Sequence, residues 1–267
     1  MAKATKKSSH SNSASMKSPA KSSTGNEASK KGSSSRDSLF AEADAVMKKA
    51  ATKKNVQEAA AIYDEVLAKN PEDAEAHWRK ARAYITVLEK ETGTVLIERK
   101  EYFAVLDEMG KLALESATRA YDLDPADIDC VGWLLVSYGY HSVSIGVVRA
   151  VLGGAASRYL KLAQEVLDLN PSWHSGAADR ALGRFYREAP WPKRDLKRSI
   201  SHFRKALEHA PKRLENKLHL ALALADNGDR EEAKELLEVV IKGKPEPTEK
   251  HFYDLVNVFA KGKRADL

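Results

Sequence analysis

Cysteine is almost absent: Cys130 is the single one in 267 residues. No intramolecular disulfide can form, a thiolate-rich metal site is excluded, and the usage fits a reducing compartment. Long apolar runs are equally scarce. The N-terminus opens on Lys3, Lys6 and Lys7 and continues through serine, lysine, asparagine and glycine with no apolar stretch. It reads as neither a secretory signal nor a lipoprotein leader, so a cytoplasmic location is expected. The least polar segment, Cys130 to Val148, has His141 as its one basic side chain. Length alone makes it a candidate membrane span, but Tyr138, Gly139, Tyr140, His141, Ser142 and Ser144 make its centre polar. A turn between two buried helices is expected there instead.

Acidic residues are nearly missing from the first 36 positions. Eight basic side chains (Lys3, Lys6, Lys7, Lys17, Lys21, Lys30, Lys31, Arg36) face one acid, Glu27, a balance of +7. The whole chain carries 44 basic and 38 acidic residues, so residues 37–267 hold 36 and 37, a balance of −1. The basic character belongs to the tail. With almost nothing apolar to bury, residues 1–36 are expected to stay flexible and to attract nucleic acid or other anions only weakly. The remaining boundaries are read as a folded region at 37–262 and a flexible end at 263–267.

Signatures of chemistry are absent as well. No H-E-x-x-H, nucleophile or phosphate-loop motif occurs. His202 and His209 stand seven apart, two helical turns, which reads as too far for shared ligation of one ion. Gly153-Gly154 lacks the G-x-G-x-x-G spacing and reads as small residues at a tight helix contact, or as a kink. No period-two segment stands among turn residues, so no sheet is expected. Neither catalysis, a metal nor a cofactor is expected.

What the chain does have is a repeat. LALALADNGDREEAKELLEVVIKGKP, residues 220–245, sets Leu220, Ala221 and Leu224 on one helix and Ala233, Leu237 and Val240 on the next, with Gly228 between and Pro245 after. Spacings of three and four put each set on one face, and the alanines allow close approach. Further copies end at Pro71, Pro125, Pro171 and Pro211. Their second helices show Ala59, Tyr63 and Val66; Ala113, Ala117 and Ala120; and Phe203 and Ala206. Insertions lengthen the middle repeats: a long helix from near Thr94 to Leu123, a break at Gly153-Gly154, and APWPKRD, whose Pro190 and Pro192 must lie outside helix interiors. A last helix near Thr248–Ala260 presents His251, Phe252, Leu255, Val256 and Phe259 as a cap, which solenoids need.

This pattern resembles the tetratricopeptide (TPR) repeat. The resemblance covers about 37–260 and implies an all-α solenoid of about five helix pairs that binds a protein or peptide in a groove lined by the first helices. In that register Arg180, Arg184 and Arg187 form one cationic stripe, Trp78 and Arg82 point inward, and Trp133 joins them. Arginine beside aromatic walls suits a carboxylate, phosphate or acidic peptide, because a guanidinium can bind an oxyanion through two parallel hydrogen bonds. Asp179 and Glu188 flank the stripe as possible neutralising partners, and Lys193, Arg194, Lys197, Arg198, Arg204, Lys205, Lys212 and Arg213 read as a solvated face. The lysine and asparagine clamp of chaperone-binding TPR domains cannot be placed. The long inserted helices and WHSGAADRALGRFYREAPWP, residues 173–192, also look like the T-component of TRAP transporters. That family is thought to oligomerise and to hold a small, often apolar ligand. The readings are therefore a non-catalytic scaffold with an acidic protein partner and, alternatively, a small-molecule carrier; a homo-oligomer is compatible with either.

Overall fold

The computed structural model describes residues 25–49, 51–94 and 103–267, and divides into Met1–Asp37 and a compact unit, Ser38–Leu267. Among the described residues there are twelve helices and no strand. Helix α1 spans Gly25–Lys49, so it takes in the last twelve residues of the segment expected to be unstructured. Phe40, Ala43 and Val46 anchor α1 in the core. Once such a turn is nucleated, adding residues costs far less than starting a helix. Residues 1–24 lie outside the described residues.

The compact unit is a TPR-type solenoid. Helices α2 (Lys53–Lys69), α4 (Phe103–Leu123), α7 (Ala155–Leu169), α9 (Leu196–His209) and α11 (Arg230–Lys242) are the five second helices, each followed within a few residues by one of the five prolines. Their partners are α1, α3 (Ala74–Thr92), α5 (Ile128–Ser144), α8 (Trp173–Glu188) and α10 (Leu214–Asn227). The small residues read from the sequence sit where backbones meet: Ala59, Ala81, Ala113, Ala117, Ala206, Ala221 and Ala233 are all fully buried. A Cβ on Gly183 would come within 2.7 Å of the Phe203 ring, so α8 and α9 approach as closely as they do because that side chain is missing.

Local expectations change or sharpen at four places. Helix α5 runs unbroken through Tyr138, Gly139, Tyr140, His141, Ser142 and Ser144, where a turn was expected; the Ser142 hydroxyl donates to the Tyr138 carbonyl and that of Ser144 to His141, so the two serine hydroxyls are satisfied inside the helix. Gly153 and Gly154 are exposed and separate the short α6 (Val147–Leu152) from α7, so of the two readings the helix break holds and the tight contact does not. Thr94 itself lies in a turn at φ 64°, past the left-handed cap Gly93, and α4 is described from Phe103 to Leu123; residues 95–102, where the start of the expected long helix falls, lie outside the described residues. Helix α12 spans Tyr253–Asp266, later than Thr248–Ala260 and through most of the end expected to be flexible, with Lys263 and Arg264 in its last turn favouring its negative dipole end.

That last segment does more than cover the final pair. Phe252, Val256 and Ala260 pack on Leu218, Leu222, Leu237 and Val240, as a cap should. Its other side reaches back to α3. His251 Nε2 lies 2.8 Å from Glu89 Oε2, and a Cβ on Gly93 would stand 2.6 Å from that of Leu255. Gly93 is thus needed twice, for its φ of 58° and for this contact. The solenoid is closed across its first helices by residues 162 positions apart.

Candidate functional site

The first helices of a TPR-type repeat need their orphan N–H groups satisfied at each link. Asp73 accepts from the Ala76 amide at 3.0 Å, and Asp127 from those of Asp129 and Cys130 at 2.8 and 3.0 Å. The next two links differ. At the start of α8, His174, Ser175 and Gly176 follow one another in the left-handed region, at φ 45°, 61° and 74°. Two of them carry a Cβ, a strained arrangement of the kind that persists where its surroundings impose it. The Ser175 carbonyl accepts from Arg180 Nη1 at 3.3 Å and from Asn216 Nδ2 at 3.2 Å, which holds the turn. At α10 the Ncap residue is Arg213, with no capping side chain of its own. Glu249, fully buried, accepts the Glu215 amide at 2.8 Å from 34 residues away.

These two links meet at a cavity of about 120 Å³ between α3, α5, α6, α7, α8 and α10. Small residues hollow it out: Gly139, Ala150, Ala155, Ala156, Ala177, Ala181 and Ala189 line it beside Val136, Val143 and Phe185. Its polar wall is Glu89, Tyr140, Tyr159, His174, Arg180, Arg184, Glu188 and Glu215. His174 is set by ring packing, its imidazole 5.1 Å from Trp133 and 5.3 Å from Trp173, while Trp173 Nε1 donates to Asp129 at 2.9 Å.

Electrostatics follow from burial and pairing. Arg180 Nε lies 3.3 Å from Glu215 Oε1, and Arg213 approaches Glu215 Oε2 at 2.7 and 2.8 Å. Burial alone would raise the Glu215 carboxyl, but the two guanidiniums outweigh it and hold it well below the usual carboxylate range. Burial lowers Arg180, with Glu215 opposing. In Arg184 the burial effect is overcome by Glu188, at 3.2 Å, and the guanidinium is raised. Burial pushes the Tyr159 phenol up to about 12 and pulls His174 down to about 4, so at neutral pH the phenol keeps its proton and the imidazole is uncharged. Arg180 uses Nε and Nη1, and Arg184 uses Nε and Nη2. One terminal nitrogen on each, Arg180 Nη2 and Arg184 Nη1, forms no hydrogen bond among the described residues, and the two side chains are 9 % and 17 % exposed.

The residues expected to line one groove are therefore divided. Arg180 and Arg184 share the cavity; Arg187, 8 % exposed, turns to Asp226 at 2.9 Å and does not line it. Arg82 pairs with Asp44 at 2.6 Å and stacks over Trp78, so both belong to the α1–α3 contact. Trp133 is buried and meets Trp173 edge-on at 5.5 Å. Glu188 does neutralise Arg184, but Asp179 does not serve the stripe. It faces His202 at 2.8 Å and His209 at 3.8 Å, so the two histidines that read as too far apart converge on one carboxylate. Among the described residues no group of three or more His, Cys, Asp or Glu is placed to hold a metal ion. Sequence reading missed Glu89, Tyr140, His174 and Glu215, which carry no motif and come together only through the packing of four helices.

No curated protein matches the sequence. Among solved structures the chain is similar to TTC0263, a thermophilic TPR protein of Thermus thermophilus, at 15 % identity over 85 % of this chain and 98 % of that one, with a TM-score of 0.59. MamA of Desulfovibrio magneticus matches at 13 % identity over 76 % and 91 %, TM-score 0.48. The first of these supports the fold read from the repeats. Residues 39–254, most of the chain, match the family described as regulator of microtubule dynamics protein 1-3 (RMD1-3), and the chain belongs to that family.

Proposed function

We propose that this chain is a non-catalytic binding protein whose site is the cavity at Arg180 and Arg184, and that it takes a small ligand with an oxyanion head and an apolar body. The observation that carries this reading is the pair of leftover guanidinium nitrogens, Arg180 Nη2 and Arg184 Nη1, beside walls of alanine, valine and phenylalanine. Residues one turn apart on a helix stand side by side, so the two can act on one head group. A charge-assisted hydrogen bond in such a low-dielectric place is stronger than one in water. The closure by α12 also favours a small ligand over a peptide laid along an open groove. Native mass spectrometry of protein purified from its own host is expected to show a bound mass that Arg184→Gln loses. A clean apo mass in the wild type overturns this reading.

A scaffold role is the second reading, favoured by the family's description. On this reading the chain works in the cytoplasm on a protein partner, for which the family's description suggests a connection with microtubules, and the +7 balance of residues 1–36 suits an acidic one. Arg180, Arg184 and Arg187 remain its candidate contacts. Replacing all three by alanine should then change the proteins recovered in a pull-down; an unchanged set removes the stripe from the interface.

A further inference from the structure

The cations inside the cavity are paired with acids; at its rim Arg194 is paired with Asp226, but three others are not. Ala150 on α6 and Ala189 after α8 both line the cavity, and two residues away from each the chain exposes a large apolar side chain, Val148 at 57 % and Trp191 at 88 %. Ile145, at the end of α5, adds a third. Of the four tryptophans, Trp133 and Trp173 are buried and Trp78 is partly covered, so Trp191 stands apart. Arg149 and Lys193 on these two segments, and Lys197 in the first turn of α9 just past Asp195, are exposed and make no ion pair among the described residues. Neither residues 145–154 nor 189–194 contain an acid.

We propose that this rim docks on a membrane surface bearing anionic lipids, with Trp191 at the level of the headgroups and Arg149, Lys193 and Lys197 facing their phosphates. A tryptophan ring is amphipathic and settles at the boundary between hydrocarbon and water. Clustered cations are drawn to an anionic leaflet. Charge selects against the other occupants: the chain's own residues 1–36 carry +7, and a second copy docking face to face would bring the same three cations. An acidic peptide is disfavoured by shape, since Trp191 projects from a loop with nearly all of its surface open and is not part of the cavity's lining. No helix among the described residues is long and apolar enough to cross a bilayer, so the contact is peripheral.

The test uses the full chain with vesicles of phosphatidylcholine, with and without phosphatidylserine, and reads tryptophan quenching by acrylamide besides co-sedimentation. Residues 1–36 contain no tryptophan and can bind anionic vesicles by themselves, so quenching is the discriminating measurement. Phosphatidylserine vesicles are expected to shield a tryptophan in the wild type and to leave quenching of Trp191→Ala unchanged. Replacing Arg149, Lys193 and Lys197 together by alanine should weaken the shielding partition roughly hundredfold. Thermal melts of both variants should match the wild type, because every altered side chain is exposed. Sedimentation without shielding of Trp191 would show that the tail alone binds, and would overturn the proposal. Equal shielding by neutral vesicles, or capture of a protein at this rim with no vesicle effect, would do the same.

Discussion

At Asp73 and Asp127 the carboxylate that opens a first helix accepts the amides of its own first turn, whereas at α8 and α10 no local side chain does so. The first two links are closed within four residues. The last two are closed from a distance: Arg180 and Asn216 hold the left-handed turn at Ser175, and Glu249 caps α10. Ser172 at the Ncap of α8 makes no cap bond and Arg213 stands at the Ncap of α10; beside the cavity Trp173 positions His174 and Arg213 shares Glu215. The contrast teaches that the solenoid keeps its regular local chemistry where it is structural, and trades it for long-range contacts around the cavity.

The comparison can be broken most strongly at Glu215. Glu215→Ala leaves Arg180 and Arg213 as buried charges without their carboxylate, and should cost about 3–5 kcal/mol, read from denaturant unfolding. Next comes acid sensitivity. His174 titrates at about 4 in the folded chain and near ~6.5 when unfolded, so between these values the unfolded state binds more protons and stability falls as pH drops. The loss reaches at most about 3 kcal/mol, lessened by the ring's partial exposure to the cavity. His174→Asn, which tolerates the left-handed backbone, should flatten the dependence of the unfolding midpoint over that window; burial also depresses His219, which retains part of the slope. An unchanged slope would remove His174 from the account.

Removing the distant cap with Glu249→Ala exposes two amides, those of Glu215 and Glu246, and should cost about 1–3 kcal/mol. It should also loosen the α10 start as seen by hydrogen exchange at Glu215. Asp127→Ala is expected to cost only about 1 kcal/mol, with faster exchange confined to the first turn of α5. If the two cap variants disturbed equally distant amides, the division into local and long-range links would not hold.

Much of this architecture was legible in the chain. The prolines and the alanines at three- and four-residue spacing report short-range constraints, and a helix pair must satisfy them whatever surrounds it. Pro190 and Pro192 likewise had to lie outside helices. The expected turn in α5 failed because serine and glycine were read by their usual preference, while packing on both faces kept the helix intact and Ser142 and Ser144 bonded to its own carbonyls. At the site, register placed Arg180 and Arg184 together because they share one helix. Arg187 shares it too, but Asp226, 39 residues on, turned it aside.

Periodicity and punctuation in the sequence therefore determined a helical-repeat solenoid with a terminal cap, since those are properties of neighbours along the chain. Which arginines keep free donors, which acids oppose them, and whether the groove stays open were decided by tertiary structure alone. His251 meets Glu89, Leu255 meets Gly93 and Glu249 reaches Glu215 only after the superhelix has turned far enough to bring them together, and no spacing of residues encodes that approach.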